Sequence, residues 1–231
     1  LVTFDTMNVR MDDLNVEIPG VYNIKLWLNC ASDTIALNDT ITYRHFVHRV
    51  LLPWDEDFAS GFPEEMRMGY SNTDSVWTMK DGSYNNVVSQ YGNKMFGYEG
   101  NRGAYSQLLI RSVDFSKDYR PTLEFWYYHD TSAAFGPLSD YLSVNYTIDG
   151  GESYTHMLKV NKNNGTDMGW KQYSVNMDSI AGETCVVVCF EAMRRSPAGY
   201  DGTQYIDRIR FYGKQDIAIS EIITDKMNTC N

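Results

Sequence analysis

The chain has 231 residues, of which 43% are hydrophobic and 22% charged, and its formal net charge is −10. This is the composition of an ordinary globular protein and excludes a disordered chain. The acidic excess argues against a nucleic-acid partner, because phosphate backbones are bound by clustered Lys and Arg. No apolar run approaches the roughly 18 residues that a membrane-spanning helix needs, so we expect no membrane span.

Aromatic residues make up 14% of the chain, including 17 tyrosines, and this favours strands over helices. Residues 1–50 predict short strands at 1–10, 14–18, 22–30 and 40–50. An immunoglobulin-like sandwich normally takes about 100 residues. We therefore expect residues 1–50 to be the C-terminal part of such a module.

The clearest strand of the central region is 141–148, where apolar residues alternate with Ser143, Asn145 and Thr147, as in a strand with one face in water. A glycine-containing turn at 149–152 follows, so 141–160 predicts a hairpin. One short helical turn is expected at 178–181. The other predicted strands are 107–115, 123–129, 173–177, 185–190 and 204–212. This spacing predicts an all-β antiparallel sandwich or jelly roll.

Residues 216–224 begin one more alternating strand. A lone strand cannot bury its own apolar face. We therefore expect the chain to be cut from a longer protein, with 215–231 supplying the first strand of a following module.

Both ends resemble a known module. The runs Ile18-Pro-Gly-Val-Tyr-Asn-Ile-Lys-Leu-Trp27 and Leu37-Asn-Asp-Thr-Ile-Thr42 resemble the last strands of immunoglobulin-like modules repeated in exported proteins of the Bacteroidetes. The run Asp216-Ile-Ala-Ile-Ser-Glu-Ile222 resembles the first strand of the next module.

The centre, residues 52–213, resembles the cleaved-adhesin domain of gingipain-haemagglutinin proteins, a relative of the MAM domain. Its opening is matched by Leu52-Pro-Trp-Asp-Glu-Asp-Phe-Ala-Ser-Gly-Phe-Pro63 and Ser75-Val-Trp77. Its middle and end are matched by Leu123-Glu-Phe-Trp-Tyr-Tyr128, Asp140-Tyr-Leu-Ser-Val144, Asp149-Gly-Gly-Glu-Ser153 and Tyr205-Ile-Asp-Arg-Ile-Arg-Phe211. The order of these runs along one chain carries the resemblance.

The resemblance implies a jelly-roll adhesin module in a multi-domain exported bacterial protein, secreted or on the exterior of the outer membrane. The implied role is non-catalytic adhesion, with a host or cell-surface glycoprotein or glycan, and neighbouring modules of the same polypeptide, as partners. Two alternatives stay open: a carbohydrate-binding module that delivers an attached enzyme, and an architectural spacer that binds nothing.

The family often binds calcium near its first and last strands. Asp207 is predicted to share a face with Tyr205, Ile209 and Phe211, where an unpaired carboxylate is costly. It therefore needs a cation, hydrogen bonds or an open sheet edge, and calcium favours several oxygen ligands. The candidate ligands are Asp55, Glu56, Asp57 and Asp207.

Two departures from the family pattern weaken this calcium prediction. Phe58-Ala59 replaces the usual Phe-Glu pair, and Asp207-Arg208 replaces the usual Asp-Asp pair. The alternative is that Asp207 pairs with an Arg or Lys and that 55–57 is a solvated turn.

Exposed aromatic residues offer a platform for sugar rings. Trp126 and Tyr128 share one face of their predicted strand, whereas Trp77, Trp170 and Tyr200 lie near predicted loops. The alternative is that large aromatic residues belong to the core, and Trp126, beside Phe125, is expected in the sandwich interior.

Neither the cysteines nor the sequence motifs point to a catalytic or metal site. Cys185 and Cys189 lie on one predicted strand, too far apart to bridge, and are expected to be buried free thiols. Cys30 and Cys230 lie in the two end segments, where a bridge between them is weakly supported. The sequence has no G-x-S-x-G, G-x-x-x-x-G-K or H-E-x-x-H motif, so we expect no enzyme.

Overall fold

The structure is a computed structural model and describes residues 20–27, 40–47, 50–165 and 167–215. The chain divides into two compact units, Leu1–His48 and Arg49–Asn231. In the first unit, β1 (Gly20–Trp27) and β2 (Thr40–Val47) pair antiparallel along their whole length. The predicted strands at 1–10, 14–18 and 216–224 lie outside the described residues, as do Cys30 and Cys230, so the immunoglobulin-like ends stay predictions.

The described part of the second unit is built of short strands and two 3₁₀ turns, Gly136–Leu138 and Asp178–Ile180. The second of these turns confirms the helical turn predicted at 178–181. The strands are β3 (Val50–Leu51), β4 (Trp54–Glu56), β5 (Met66–Ser71), β6 (Trp77–Asp81), β7 (Ser83–Tyr84), β8 (Val87–Val88), β9 (Lys94–Tyr98), β10 (Tyr105–Asp114), β11 (Asp118–His129), β12 (Tyr141–Thr147), β13 (Thr155–Asn161), β14 (Gly169–Asn176), β15 (Val186–Met193) and β16 (Gln204–Gln215).

Twelve of these strands form two large sheets that pack face to face, which confirms the predicted all-β sandwich, and β7 and β8 pair as a separate hairpin. The first sheet has the order β13-β12-β15-β10, with β3 and β5 both paired to β10. The second sheet has the order β14-β11-β16-β9-β6, with β4 paired to β16. All pairs within these two sheets are antiparallel except β3 with β10. No helix in the described residues has the length and apolar character needed to cross a membrane.

Alternate side chains of both sheets fill the space between them. Phe125 of the second sheet meets Phe190 of the first edge to face, with ring centroids 5.2 Å apart. The Trp77 indole N–H donates to the Ser106 carbonyl at 3.1 Å, joining β6 to β10. Burying each large ring contributes roughly 2 kcal/mol, so this apolar layer is what holds the two sheets together.

The predicted hairpin over 141–160 is present as β12 and β13, and Gly150 and Gly151 in its turn both have positive φ. Cys185 and Cys189 are both free thiols. Only Cys189 is buried. Cys185 is exposed because it precedes β15, so the prediction that both are buried was wrong.

The alternation of β16 is interrupted by a bulge. Arg208 has a positive φ of 35°, and the pairing with β11 shifts register between Phe125 and Trp126. Ile206 and Ile209 consequently both face the core, while Asp207 between them faces away from it. The prediction that Asp207 shares a face with Ile209 and Phe211 was wrong, because one inserted residue reverses the side-chain pattern.

His129 ends β11 among buried polar groups. Its Nδ1 lies 3.1 Å from the Lys162 carbonyl oxygen, and its Nε2 lies 2.6 Å from the Tyr173 hydroxyl. A neutral imidazole satisfies both contacts, with Nδ1 donating and Nε2 accepting. Burial lowers the pKa of this imidazole below its ordinary value.

This lowered pKa predicts a pH-dependent stability. The unfolded chain takes up the His129 proton more readily than the folded chain, so stability is lost as the pH falls below about 6.5. We expect His129→Gln to weaken the decline in the free energy of unfolding between pH 7 and pH 5, measured by denaturant titration. The matched control is His156→Gln at an exposed position. If both variants keep the wild-type decline, His129 does not cause it.

Candidate functional site

The aromatic residues predicted as a ligand platform are divided among three places. Tyr128 and Trp170 lie opposite each other on β11 and β14, with ring centroids 5.4 Å apart. The hairpin of β7 and β8 covers them, and the Trp170 indole N–H donates to the Val88 carbonyl at 2.7 Å. These rings thus form a second small apolar cluster with Val87, Met95, Tyr205 and Tyr84.

Trp126 also lies on the outer face of the second sheet, so the expectation that it is in the sandwich interior was wrong. Phe125 faces the core, and Trp126 is half-buried against Tyr91, with ring centroids 5.6 Å apart. Trp77 has no exposed surface and therefore no face on which a ligand could stack. Tyr200 is exposed in the loop between β15 and β16. The five residues therefore do not form one site.

The carboxylates predicted as metal ligands accept hydrogen bonds from other groups of the protein. Asp55 receives two hydrogen bonds from the Arg208 guanidinium, at 2.9 and 2.8 Å, and these bonds lower its pKa. Glu56 accepts the Phe58 N–H at 2.6 Å, and burial raises the pKa of its carboxyl. Asp57 accepts the Ala59 N–H at 3.0 Å.

Asp207 is fully buried and accepts three backbone N–H groups. Those of Gln90 and Tyr91 reach Oδ2 at 2.7 and 2.9 Å, and that of Arg208 reaches Oδ1 at 2.6 Å. Burial raises the pKa of this carboxyl to about 6. The hydrogen bonds fasten the loop of residues 89–93 onto the outer face of the second sheet.

The described residues contain no group of three or more His, Cys, Asp or Glu arranged to hold a metal ion. Calcium binding stays a prediction. If calcium binds the folded chain, millimolar calcium should raise the thermal unfolding midpoint. The rise should be absent in Asp207→Ala and retained in Asp74→Ala, an exposed carboxylate outside the candidate set. An unchanged wild-type midpoint after treatment with a chelator and readdition of calcium contradicts the prediction.

The outer face of the first sheet carries three rows of side chains that run across the strands. Along each strand, one row is two residues from the next. Leu142, Val144 and Phe190 face the core, so their neighbours in sequence face outward. Register then fixes the rows across β10, β15, β12 and β13. We call these residues the three-row face: Tyr105, Met193, Tyr141 and Asn161; Gln107, Glu191, Ser143 and Lys159; and Arg67, Leu109, Cys189, Asn145 and His156.

The first row carries the two tyrosines of the face. Tyr105 and Tyr141 are separated by the width of two strand spacings, about 10 Å. Tyr70, which is 62% exposed, places its ring centroid 5.6 Å from that of Tyr105. The Lys159 ammonium lies 4.0 Å from the Tyr141 ring centroid, and the Arg195 guanidinium lies 5.4 Å from it.

The other two rows contain polar groups held by hydrogen bonds to one another. The Gln107 amide donates to Glu191 Oε2 at 2.9 Å and accepts the Tyr70 N–H at 3.3 Å. The Ser143 hydroxyl lies 3.2 Å from Asn145 Oδ1, and His156 Nδ1 lies 3.1 Å from both. These bonds leave Glu191 Oε1, Asn145 Nδ2 and His156 Nε2 without a partner among the described residues.

Comparison with solved structures identifies proteins of similar fold. The K1 cleaved adhesin domain of Lys-gingipain from Porphyromonas gingivalis W83 has a TM-score of 0.51 at 17% identity, covering 70% of this chain and 98% of that domain. The K3 domain of the same protein scores 0.46 at 18% identity, covering 68% and 97%. TmCBM61, solved with beta-1,4-galactotriose, scores 0.49 at 11% identity, covering 68% and 94%. No family model matches the sequence, and the search of curated proteins found no match.

The fold is cleaved-adhesin-like. This statement rests on the K1 domain, and at 17% identity the likeness shows the fold alone. It confirms the jelly-roll resemblance drawn from the order of the sequence runs.

Sequence reasoning missed the three-row face because it searched for large aromatic residues near loops. The face is carried largely by tyrosines and polar residues within strands, and its members come from five strands, of which only β12 and β13 are consecutive in the chain. One sequence pattern does indicate part of this face: the alternation over 141–148 places Ser143 and Asn145 on the side of the strand that faces away from the core. Which other residues join them depends on strand pairing, which that pattern does not specify.

Proposed function

We propose that this chain is a non-catalytic binding module that attaches an exported bacterial protein, secreted or on the cell surface, to a glycan. The exposed and half-buried members of the three-row face form the proposed binding surface, whereas Leu109, Ser143 and Cys189 within it are buried. The single observation that carries the proposal is the juxtaposition of Tyr105 and Tyr141 with hydrogen-bonded amide and carboxylate groups on one sheet face.

The chemistry of this face suits a sugar. A pyranose ring presents an apolar surface of C–H groups that packs on a tyrosine ring. Its hydroxyls both donate and accept, so they match Glu191 Oε1 as acceptor and Asn145 Nδ2 as donor. Sites of this kind combine apolar or aromatic contact with a small number of placed polar groups.

The rigidity of the face favours affinity. Its side chains stand on strands and are oriented by contacts that already exist, namely Gln107 with Glu191 and Ser143 with Asn145. A ligand then orders few protein side chains on binding, which lowers the entropic cost of association. The outer face of the second sheet offers less, because its Tyr128 and Trp170 rings are covered by the hairpin of β7 and β8.

The proposal that the module is not catalytic is supported by the number of carboxylates on the three-row face. Glycosidases use two carboxyl groups that flank the bond they cleave. The three-row face, whose members are all described residues, holds one carboxylate, Glu191. Binding without cleavage is therefore the function that these residues support best.

The proposal predicts a particular pattern of variants. Tyr141→Ala should weaken glycan binding about tenfold or more, as expected for a central aromatic contact, and Tyr141→Phe should retain most of the affinity. Trp126→Ala, on the outer face of the other sheet, is the matched control and should bind like the wild type. Binding is first located on a glycan array and then measured by calorimetry.

The contradicting outcomes are distinct. Loss of binding in Trp126→Ala with retention in Tyr141→Ala would assign the site to the second sheet. A folded wild-type chain that binds no glycan on a broad array would favour the architectural spacer.

A further inference from the structure

The charge of the three-row face differs in sign from that of the chain. The chain carries a net charge of −10, yet this face presents Arg67 and Lys159 against the single carboxylate of Glu191. Arg195 adds a third cation beside Tyr141. A basic surface on an acidic protein indicates a partner of negative charge.

Several cations elsewhere in the described residues are paired with acids. Arg208 and Arg210 bind Asp55, Lys80 binds Glu99, Lys171 binds Asp167, and Lys162 lies between Asp130 and Asp201. Arg67, Lys159 and Arg195 form no ion pair with any described residue. Lys159 and Arg195 instead contact the Tyr141 ring, and Arg67 lies near the Tyr154 phenol.

One other acid close to this face is Asp149, in the turn between β12 and β13, which acts on the same Tyr154 phenol as Arg67. Its carboxylate is already occupied by the Thr147 and Ser153 hydroxyls and the Ser153 N–H. These contacts hold it within its own turn, so it does not neutralise the cations on the strands.

The positions of the cations match an extended ligand. Arg67 lies on β5 and Lys159 on β13, at opposite sides of the face and four strand spacings apart, or about 19 Å. The tyrosines and the hydrogen-bonded amides lie between them. A chain of several sugar rings that crosses the strands reaches both cations.

We infer that the ligand is a carboxylated glycan, a polysaccharide that contains uronic acid, with Arg67, Lys159 and Arg195 binding its carboxylates. This inference rests on the proposed function. The Arg guanidinium matches a planar carboxylate with two parallel hydrogen bonds, and the exposed Lys159 ammonium moves from the Tyr141 ring to a sugar carboxylate.

Two requirements of the face select a sugar over other polyanions. The cations at its sides require negative charge, whereas Glu191 at its centre requires hydrogen-bond donors. An acidic sugar supplies both, through its carboxylate and its hydroxyls. An acidic polypeptide or a nucleic acid would place negative charge against Glu191.

The test compares matched pairs of polymers on the full chain by calorimetry. The probes are polygalacturonate, alginate and hyaluronan, each beside its carboxyl-reduced neutral form, with poly-L-glutamate as a charged polymer without sugar rings. We expect at least one carboxylated polymer to bind tenfold or more tightly than its reduced form, with affinity that falls as salt rises. Poly-L-glutamate should bind at least tenfold more weakly than that polymer.

Variants assign the effect to residues. The double variant Arg67→Gln with Lys159→Gln should lose most of the preference, so that its affinities for the carboxylated and the reduced form become similar. Lys171→Gln, a paired surface cation on β14, is the control and should keep the preference. Thermal unfolding midpoints equal to the wild type show that each variant is folded.

Each outcome is decisive. Equal or tighter binding of the reduced polymers overturns the inference and leaves the proposed function standing. Binding to poly-L-glutamate as tight as to the polysaccharides overturns the inference in favour of charge alone. If no carbohydrate binds, charged or neutral, the proposed function itself fails.

Discussion

The two-residue alternation of the strands, enforced by the apolar layer between the sheets, is the constraint on which the rest of the molecule depends. Leu142 and Val144 are buried with Phe190, and this fixes Ser143, Asn145 and Glu191 on the outside. A slip of one residue in β12 would exchange these two sets of side chains. The candidate site is therefore a consequence of core packing, since the same register places both.

The two outer faces of the sandwich are built differently. On the second sheet, Asp207 accepts the N–H groups of Gln90 and Tyr91 and fastens a loop beside Trp126. The bulge at Arg208 turns Asp207 outward and lets it do this. On the first sheet, polar side chains bond to one another within the face, and tyrosines stand beside them.

Much of the fold could be predicted from local pattern. The 141–160 hairpin follows from alternation and a glycine turn, and the 3₁₀ turn at Asp178–Ile180 was also expected. Three features could not be read in this way. The bulge in β16 reversed the face of Asp207, the order Phe125-Trp126 gave no sign of which ring points inward, and pairing of β10 with β15 joins residues about 80 positions apart. Each depends on partners distant in the sequence, so the residues of the three-row face could not be grouped beforehand.

The central claim is that a glycan binds across the three-row face and leaves the second sheet untouched. Nuclear magnetic resonance measures this directly, by comparing amide and indole chemical shifts of the free chain with those of the chain saturated by the tightest-binding polysaccharide fragment. The account predicts that the largest changes fall at Gln107, Glu191 and Ser143, with the Trp126 and Trp170 indole signals unmoved. Large changes at Gln90, Trp126 and Trp170, with β10, β12 and β15 unaffected, would contradict it.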